Sequence, residues 1–566
     1  MNPYAQYNPQ ERKVAYFSME IGLSAELPIY SGGLGVLAGD TIKSFADLGI
    51  PAVGVSLLYK KGYFHQEINE AGNQIETPVE WDPAEYMTPL PEKITITIED
   101  RTVIIQAWVH EVKGIKGDSV PILFLDTDIE INAPEDREIT GFLYGGEERY
   151  RLKQEMVLGI GGVRILQLLG HDNLEAYHMN EGHSALLTLE LMDRFQQDIE
   201  TVREMCVFTT HTPVPAGHDR FTRDMVRELF GESFDVDSLD HDNIIDEQGH
   251  LNMTYLALYH SEYINGVAKK HGETAQKMFP EYRIDSITNG IHARTWVADA
   301  MAKLFDRFIP SWPNDPSALR NALNIPREKI WTAHLNAKQQ LLDFVNERCS
   351  LSMRPDVLTI GFARRAAAYK RADLLLADTD RLRELVDAHG PIQILYAGKA
   401  HPKDEKGKAL IKAIHEKMDA IRDKIDICYL ENYDMYRAKL LVGGVDVWLN
   451  TPLRPMEASG TSGMKAALNG VINLSVLDGW WLEGHIEDFT GWRIGRRNPD
   501  GADEPENSRK KDAADLFAKL ENKVLPYFYE NHEHWLDMMA YNIALNGSFF
   551  NTHRMVSQYV MQAYFQ

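Results

Sequence analysis

Cysteine is scarce in this chain of 566 residues: Cys206, Cys349 and Cys428 are the only three, far apart and without metal-ligand spacing. That excludes a small disulfide-built scaffold and a cysteine zinc site, and it predicts unpaired thiols in a reducing compartment, with no metal. Long apolar runs are missing as well. No stretch reaches the length of about 18 apolar residues that a membrane span needs, and the opening MNPYAQYNPQERKVAYFSME has no apolar signal core. A cytoplasmic protein with no membrane partner is therefore expected. Positive charge is in deficit: the formal net charge of -24 argues against a general nucleic-acid or membrane-surface binder. There is no internal repeat and no long low-complexity linker.

What is present is material for large cores, with 44% hydrophobic and 10% aromatic residues in a chain too long for one core, so at least two domains are expected. The first half opens on an apolar run, Val14–Met19, then reaches Gly32-Gly33-Leu34-Gly35, a helical stretch over Val36–Leu48 and a second apolar run, Ile50–Leu57. This reads as a βαβ unit with a glycine loop at its turn, a common place for an anion; alone, it reads equally well as a plain tight turn. Residues 93–112 alternate like an antiparallel hairpin, and Glu147–Leu169 reads as one long amphipathic helix. Ala176–Met179 reads as a strand leading into a helix near Glu181, which puts His183 in the first helical turn at a strand's carboxyl edge.

The second half repeats the pattern with four strands, Val357–Ala363, Ile392–Ala400, Ile425–Leu430 and Val445–Asn450, separated by helices. The first of these runs straight into Arg364-Arg365-Ala366-Ala367-Ala368-Tyr369-Lys370-Arg371, a tight cationic cluster in an acidic protein and a natural phosphate ligand set. Tyr433 follows the third strand. The fourth leads into Pro455–Gly470, PMEASGTSGMKAALNG, a strand–glycine turn–helix whose free amides suit a phosphate or sugar hydroxyls. Glu457 there can accept hydroxyl protons, and Lys465, eight positions on, can bind an anion or form a Schiff base with an aldehyde. Two doubly wound α/β halves with ligand-type residues at their carboxyl edges imply the GT-B architecture of glycosyl-transferring enzymes: two Rossmann-like domains facing a central cleft, over 1–289 and 290–545, with a C-terminal helix (546–566) packing back over the junction.

At this point the chain resembles the α-glucan (glycogen and maltodextrin) phosphorylases. The resemblance rests on GGLG at Gly32–Gly35, RLKQE at Arg151–Glu155, NEGHSAL at Asn180–Leu186, TNGIHARTW at Thr288–Trp296, RRAAAYKR at Arg364–Arg371, AGKAHP at Ala397–Pro402, ENY at Glu431–Tyr433, EASGTSGMK at Glu457–Lys465 and NIALNGSF at Asn542–Phe549, all in family order. It implies pyridoxal 5′-phosphate on Lys465, with Arg364, Tyr433, Gly33 and the N–H groups of Thr461 and Ser462 around the cofactor. It implies that Arg365, Lys370 and the N–H of Gly33 bind the substrate phosphate. Glu457, Ser459, Gly460, Asn289, Tyr369, His183 and Leu34 would surround the glucose. The expected reaction is phosphorolysis of a terminal α-1,4-glucosidic bond to α-glucose 1-phosphate, with retention. The partners are then a glucan or maltooligosaccharide and inorganic phosphate, and a homo-oligomer is compatible with the resemblance.

Two departures accompany it. The region before GGLG is much shorter than in vertebrate-type members, so their phosphoserine and nucleotide control is not expected. Tyr144–Tyr150 (YGGEERY) lacks the asparagine expected to touch the sugar, which leaves another α-glucoside open as substrate. A nucleotide-sugar transferase such as a glycogen or starch synthase shares the frame, but many retaining transferases carry a glutamate where Lys465 stands. A silent glucan-binding protein would need a lost residue among Lys465, Arg365, Lys370 and Glu457, and all four are present.

Overall fold

A computed structural model describes residues 3–214, 217–231, 234–496 and 505–565. The chain is mixed α/β and forms two compact units: Met1–Phe64, Pro78–Thr288 and Met555–Gln566 make the first, His65–Thr77 and Asn289–Arg554 the second.

Unit 1 is built on a nine-stranded sheet. In chain order the strands are β1 (Val14–Ser18), β2 (Ala52–Leu57), β3 (Thr88–Ile98), β4 (Arg101–Lys113), β5 (Ser119–Asp126), β6 (Ala176–Asn180), β7 (Cys206–Thr209), β8 (Tyr263–Gly266) and β9 (Asp285–Ser286). They lie in the order β9-β8-β7-β6-β1-β2-β5-β4-β3. The seven from β9 to β5 pair parallel, whereas β4 pairs antiparallel with β5 and with β3. Every residue of β1 and β2 is buried, as strands covered on both faces require, while β3 and β4 alternate. Helix α1 (Gly33–Leu48) starts at the glycine loop and stops at Gly49, whose φ of 69° is the left-handed C-cap that glycine provides. The helix expected over Glu147–Leu169 is present but carries a π-helical turn at Val157–Gly161.

A buried polar network ties the chain's last described turns into this sheet. His178 of β6 accepts or donates to Tyr564 Oη at 2.6 Å and to Thr209 Oγ1 at 2.8 Å, and Asn265 Nδ2 donates to Tyr559 Oη at 3.0 Å. His178 is one of seven histidines of the unit, with His171, His183, His211, His218, His260 and His271, that burial holds below their usual value, at about 3 or about 4.

Unit 2 carries a six-stranded all-parallel sheet: β10 (Leu358–Ala363), β11 (Ile392–Ala397), β12 (Asp426–Leu430), β13 (Val447–Asn450), β14 (Ile472–Val476) and β15 (Gly491–Ile494), in the order β12-β11-β10-β13-β14-β15. The sequence reading of four strands is thus two short: β14 and β15 follow the glycine-loop helix and complete the sheet. Helix α2 (Arg327–Cys349) packs against it. The expectation of unpaired thiols is corrected, because Cys349 and Cys428 are disulfide-bonded. Their separation of 79 residues concealed that the end of α2 lies against β12. No helix among the described residues is long and apolar enough to cross a membrane.

Beneath this sheet, Asp446 is fully buried and accepts from Lys338 Nζ, from His334 Nε2 at 2.9 Å and from Thr359 N at 2.7 Å. Burial alone would raise its carboxyl, but Lys338 and His334 outweigh burial and lower it. Replacing Lys338 by Met leaves a buried carboxylate short of its main counter-charge, and should cost about 3–5 kcal/mol. An earlier urea transition is the expected reading; an unchanged midpoint would show the pair to be dispensable. The histidines of unit 1 predict acid sensitivity. Below pH 6.5 they take up protons in the unfolded chain that the folded unit refuses until about pH 4. Stability is therefore kept above 6.5 and lost as pH falls through that window, by up to about 1.4 kcal/mol per pH unit for each histidine. The buried carboxyls of Glu20, Glu155 and Glu181 are raised and act in the opposite sense, but they are outnumbered. Melting temperature should fall steeply between pH 6.5 and 4.5; a flat profile there would refute this.

Candidate active site

In unit 2, β13 delivers the chain to a loop that ends in helix α3 (Ser462–Leu468). Glu457 on that loop is clamped: Arg364 Nη2 donates to its Oε2 at 2.6 Å and Lys370 Nζ donates to the same oxygen at 2.7 Å. Burial would raise this carboxyl, yet the two cations hold it down at about 2, so it is an anion at any working pH. The RRAAAYKR stretch therefore converges on the glycine loop, but not all of it. Arg371 turns away at φ 48°, buried, donating to the carbonyls of Thr451 and Pro452 and to Asp512 at 2.7 Å. Its Nε and Nη2 hold the loop instead of converging on Glu457 as Arg364 and Lys370 do, which sets it apart within the cationic cluster. Arg365 is exposed, and Tyr369 is half-buried with Lys370 Nζ 4.4 Å from its ring centre.

Lys465 lies on α3, 7% exposed, with Nζ 3.6 Å from the centre of the Trp296 ring. Three groups of the motif set end in unmet polar atoms: Arg364 Nη1, Ser459 Oγ and Asn289 Oδ1 are buried without a partner. Gly460 has φ 85°, and a Cβ there would meet Glu457 Oε1 at 3.1 Å, so the loop needs glycine at this point. Thr461 and Ser462 open α3, and Ser462 Oγ accepts from Trp448 Nε1. Tyr433 is half-buried in the loop after β12. A buried primary amine, a partly unsatisfied guanidinium and the loop amides fit an aldehyde-bearing, phosphorylated cofactor such as pyridoxal phosphate.

One contributor was missed from the sequence. Asp478, after β14, is buried and accepts from Glu457 N at 2.9 Å and from Gly479 N at 3.0 Å. In the sequence, Asp478-Gly479 reads only as a turn.

In unit 1 the glycine loop is likewise held from within. Glu20, 2% exposed, accepts from the N–H of Ser31, from Gly32 N at 3.2 Å, from Ser31 Oγ at 3.2 Å and from Tyr144 Oη at 3.0 Å. Two amides of the loop, Ser31 and Gly32, are thus occupied by the protein's own carboxylate, while Gly33, the residue whose N–H was expected to bind phosphate, is exposed and Leu34 half-buried at the start of α1. His183 sits in a 3-10 turn, Gly182–Ser184, and the α-helix begins only at Leu187, later than expected. Its Nε2 is 3.3 Å from Asp219 Oδ2, and burial first, then Arg151, hold its imidazole down at about 4, so it is neutral near pH 7. Arg151 donates to Asp219 at 2.9 Å and lies over the Tyr144 ring, 4.6 Å from its centre. Tyr144 itself has φ 53°, a costly conformation for a non-glycine residue.

A Cβ on Gly35 would lie 2.6 Å from Glu20 Oε2, whereas one on Gly33 would meet nothing within 4 Å. Gly35→Ala should wedge the carboxylate off the loop and cost about 1–3 kcal/mol. Gly33→Ala should stay within about 0.5 kcal/mol of the parent. Thermal unfolding of the two variants decides it, and equal stability would contradict the wedge.

A family model described as carbohydrate phosphorylase matches residues 22–155 and 164–488. Among known proteins, the chain is 41% identical to the maltodextrin phosphorylase of Thermococcus litoralis, over 100% of this chain and 72% of that protein. It is 37% identical to the glycogen phosphorylase of Mycobacterium tuberculosis, over 97% and 70%, and 34% identical to that of Aquifex aeolicus, over 100% and 88%. With the match running through both glycine loops, the Arg364–Arg371 stretch and Lys465, the chain belongs to the carbohydrate phosphorylase family.

Proposed function

We propose that this protein is an α-glucan phosphorylase. It cleaves the terminal α-1,4-glucosidic bond of a maltodextrin or glycogen with inorganic phosphate and releases α-glucose 1-phosphate with retention of configuration. The observation that carries the reading is the buried amine of Lys465 on the helix that follows a glycine loop, whose Glu457 is clamped by Arg364 and Lys370.

Pyridoxal phosphate, when bound, supplies a phosphate group that gives and takes a proton near neutral pH. Lys465 would hold it, Arg364 and the N–H groups of Thr461 and Ser462 would bind its phosphate, and Tyr433 would contribute to the cofactor site. Arg365, Lys370 and the N–H of Gly33 bind the substrate phosphate, where cations and amides offset the repulsion between two phosphates. Glu457, Ser459, Gly460, Asn289, Tyr369 and Leu34 position the glucose, Glu457 as a fixed anion accepting from sugar hydroxyls. The neutral imidazole of His183 can hydrogen-bond a hydroxyl, and its carbonyl oxygen stabilises the oxocarbenium-like charge at the anomeric carbon. The GT-B architecture, a cytoplasmic location and a homo-oligomeric state accompany this reading.

One observation favours a second substrate reading. Tyr144 lies beside His183, ring centres 6.2 Å apart, in the loop where an asparagine was expected, so another α-glucoside remains the alternative.

The test is glucose 1-phosphate release from a ladder of maltooligosaccharides in inorganic phosphate, alongside an absorbance scan for the cofactor. Lys465→Ala should lose both the bound chromophore and release, by at least about 1000-fold. A wild-type protein that neither carries nor takes up pyridoxal phosphate would end this reading; cofactor with no release from any α-1,4-glucan would move it to the other α-glucoside.

A further inference from the structure

The stretch after β14, Asp478-Gly479-Trp480, forms a bed beneath the Glu457 loop. Asp478 Oδ2 accepts from Glu457 N and Oδ1 from Gly479 N. Trp480 N donates to Ser459 O at 2.9 Å, so the bed meets the backbone of the loop at Glu457 and Ser459, two of the residues assigned to the sugar. The approach is close throughout. A Cβ on Gly479, at φ 54°, would lie 2.3 Å from Ser459 O, and one on Gly463 would lie 2.8 Å from the Trp480 ring. The carboxylate of Glu457 is already committed to Arg364 and Lys370.

We infer that Asp478 is a positioning residue for the reaction, fixing the backbone of Glu457 so that its carboxylate, held by Arg364 and Lys370, faces the sugar in one orientation. This rests on the phosphorylase reading given above. Asp478 touches neither substrate nor cofactor in it; it acts through the loop. Its two oxygens both accept N–H bonds, which is what an ionised carboxylate does best. Protonation takes one oxygen's proton-accepting role away and slackens one end of the bed.

The surroundings make that protonation reachable. Burial first, and then the charge of Glu457, push the Asp478 carboxyl from the usual 3.8 up to about 7, against the lowering effect of the two N–H bonds. The charged groups that bear on it are Glu457 and Arg454 on the same loop, with Arg364 and Lys370 behind the Glu457 carboxylate. Because the folded value lies above the unfolded one, the group favours the folded protein most below about pH 4. That contribution is lost as pH rises towards 7. The loop is best ordered once Asp478 is ionised, so activity should rise through the range in which stability from this group declines.

The experiment compares wild type and Asp478→Asn for glucose 1-phosphate release from maltooligosaccharides in inorganic phosphate between pH 5.5 and 8.5. The melting temperature of each is followed from pH 4 to 8. Asparagine turns an N–H towards one of the two amides, Glu457 N or Gly479 N, so kcat should fall tenfold or more, KM for glucan should change less than threefold, and the acid limb near pH 7 should flatten. The difference in melting temperature between the two proteins should vary with pH between about 4 and 7. A kcat within twofold of wild type, or an acid limb that the substitution does not move, overturns the inference. If the wild type releases no glucose 1-phosphate, the phosphorylase reading fails by itself, and the melting comparison still decides whether Asp478 titrates where stated. Should Asp478→Asn fail to fold, Glu457→Gln serves in its place for that comparison. Removing the neighbouring charge should shift the pH dependence of melting downwards, and an unshifted profile would count against the inference.

Discussion

A glycine loop can approach a ligand because it has little side chain of its own, and for the same reason it cannot hold itself in place. In this protein each of the two glycine loops is held by a buried carboxyl group that accepts its backbone N–H bonds: Glu20 for Ser31 and Gly32 in unit 1, Asp478 for Glu457 in unit 2. The donors are the loop's own amides, so the arrangement fixes the chain path without adding bulk on the ligand side. A buried carboxyl that accepts several N–H bonds recovers much of what it loses on leaving water. The rest of each site is then arranged around a backbone that is already set.

Charge is handled with the same economy. In a protein of net charge -24, the cations near the glycine loop of unit 2 are divided between two tasks. Arg371 is spent on carbonyls and Asp512, holding the loop's entry. Arg364 and Lys370 share the single carboxylate of Glu457, which leaves one positive charge uncompensated, and Arg364 keeps a buried Nη1 without a partner. That is a receptive state for an anion, reached without stranding like charges against one another.

Much of this was legible in the sequence, because parallel strands covered on both faces appear as unbroken apolar runs and glycine turns mark their ends. The strands at Val14, Ala52, Leu358, Ile392, Asp426 and Val447 start within two residues of their expected places. What escaped reading depends on distance in the chain. Glu20 and Asp478 are ordinary acids until the fold brings amides to them, and Cys349 and Cys428 are 79 residues apart. Strand β14 lies directly after the motif that drew attention, and β15 is only four residues long. The π turn at Val157–Gly161 breaks no periodicity strongly enough to show. The cationic stretch was read as one cluster because spacing gives no sign of which side chain will turn back, as Arg371 does.

The network that joins His178, Thr209 and Asn265 to Tyr559 and Tyr564 has a consequence for how the protein is made. The strands that carry the first three residues are translated before Asn289–Arg554, whereas the tyrosines follow it. At about 5–20 residues per second, that interval is roughly a quarter of a minute to a minute. Throughout it, the sheet that is synthesised first holds buried polar groups whose partners do not yet exist. The early half of the chain is therefore the last to be completed, and nascent protein stalled short of residue 555 should be a ready client for chaperones that bind incompletely closed sheets.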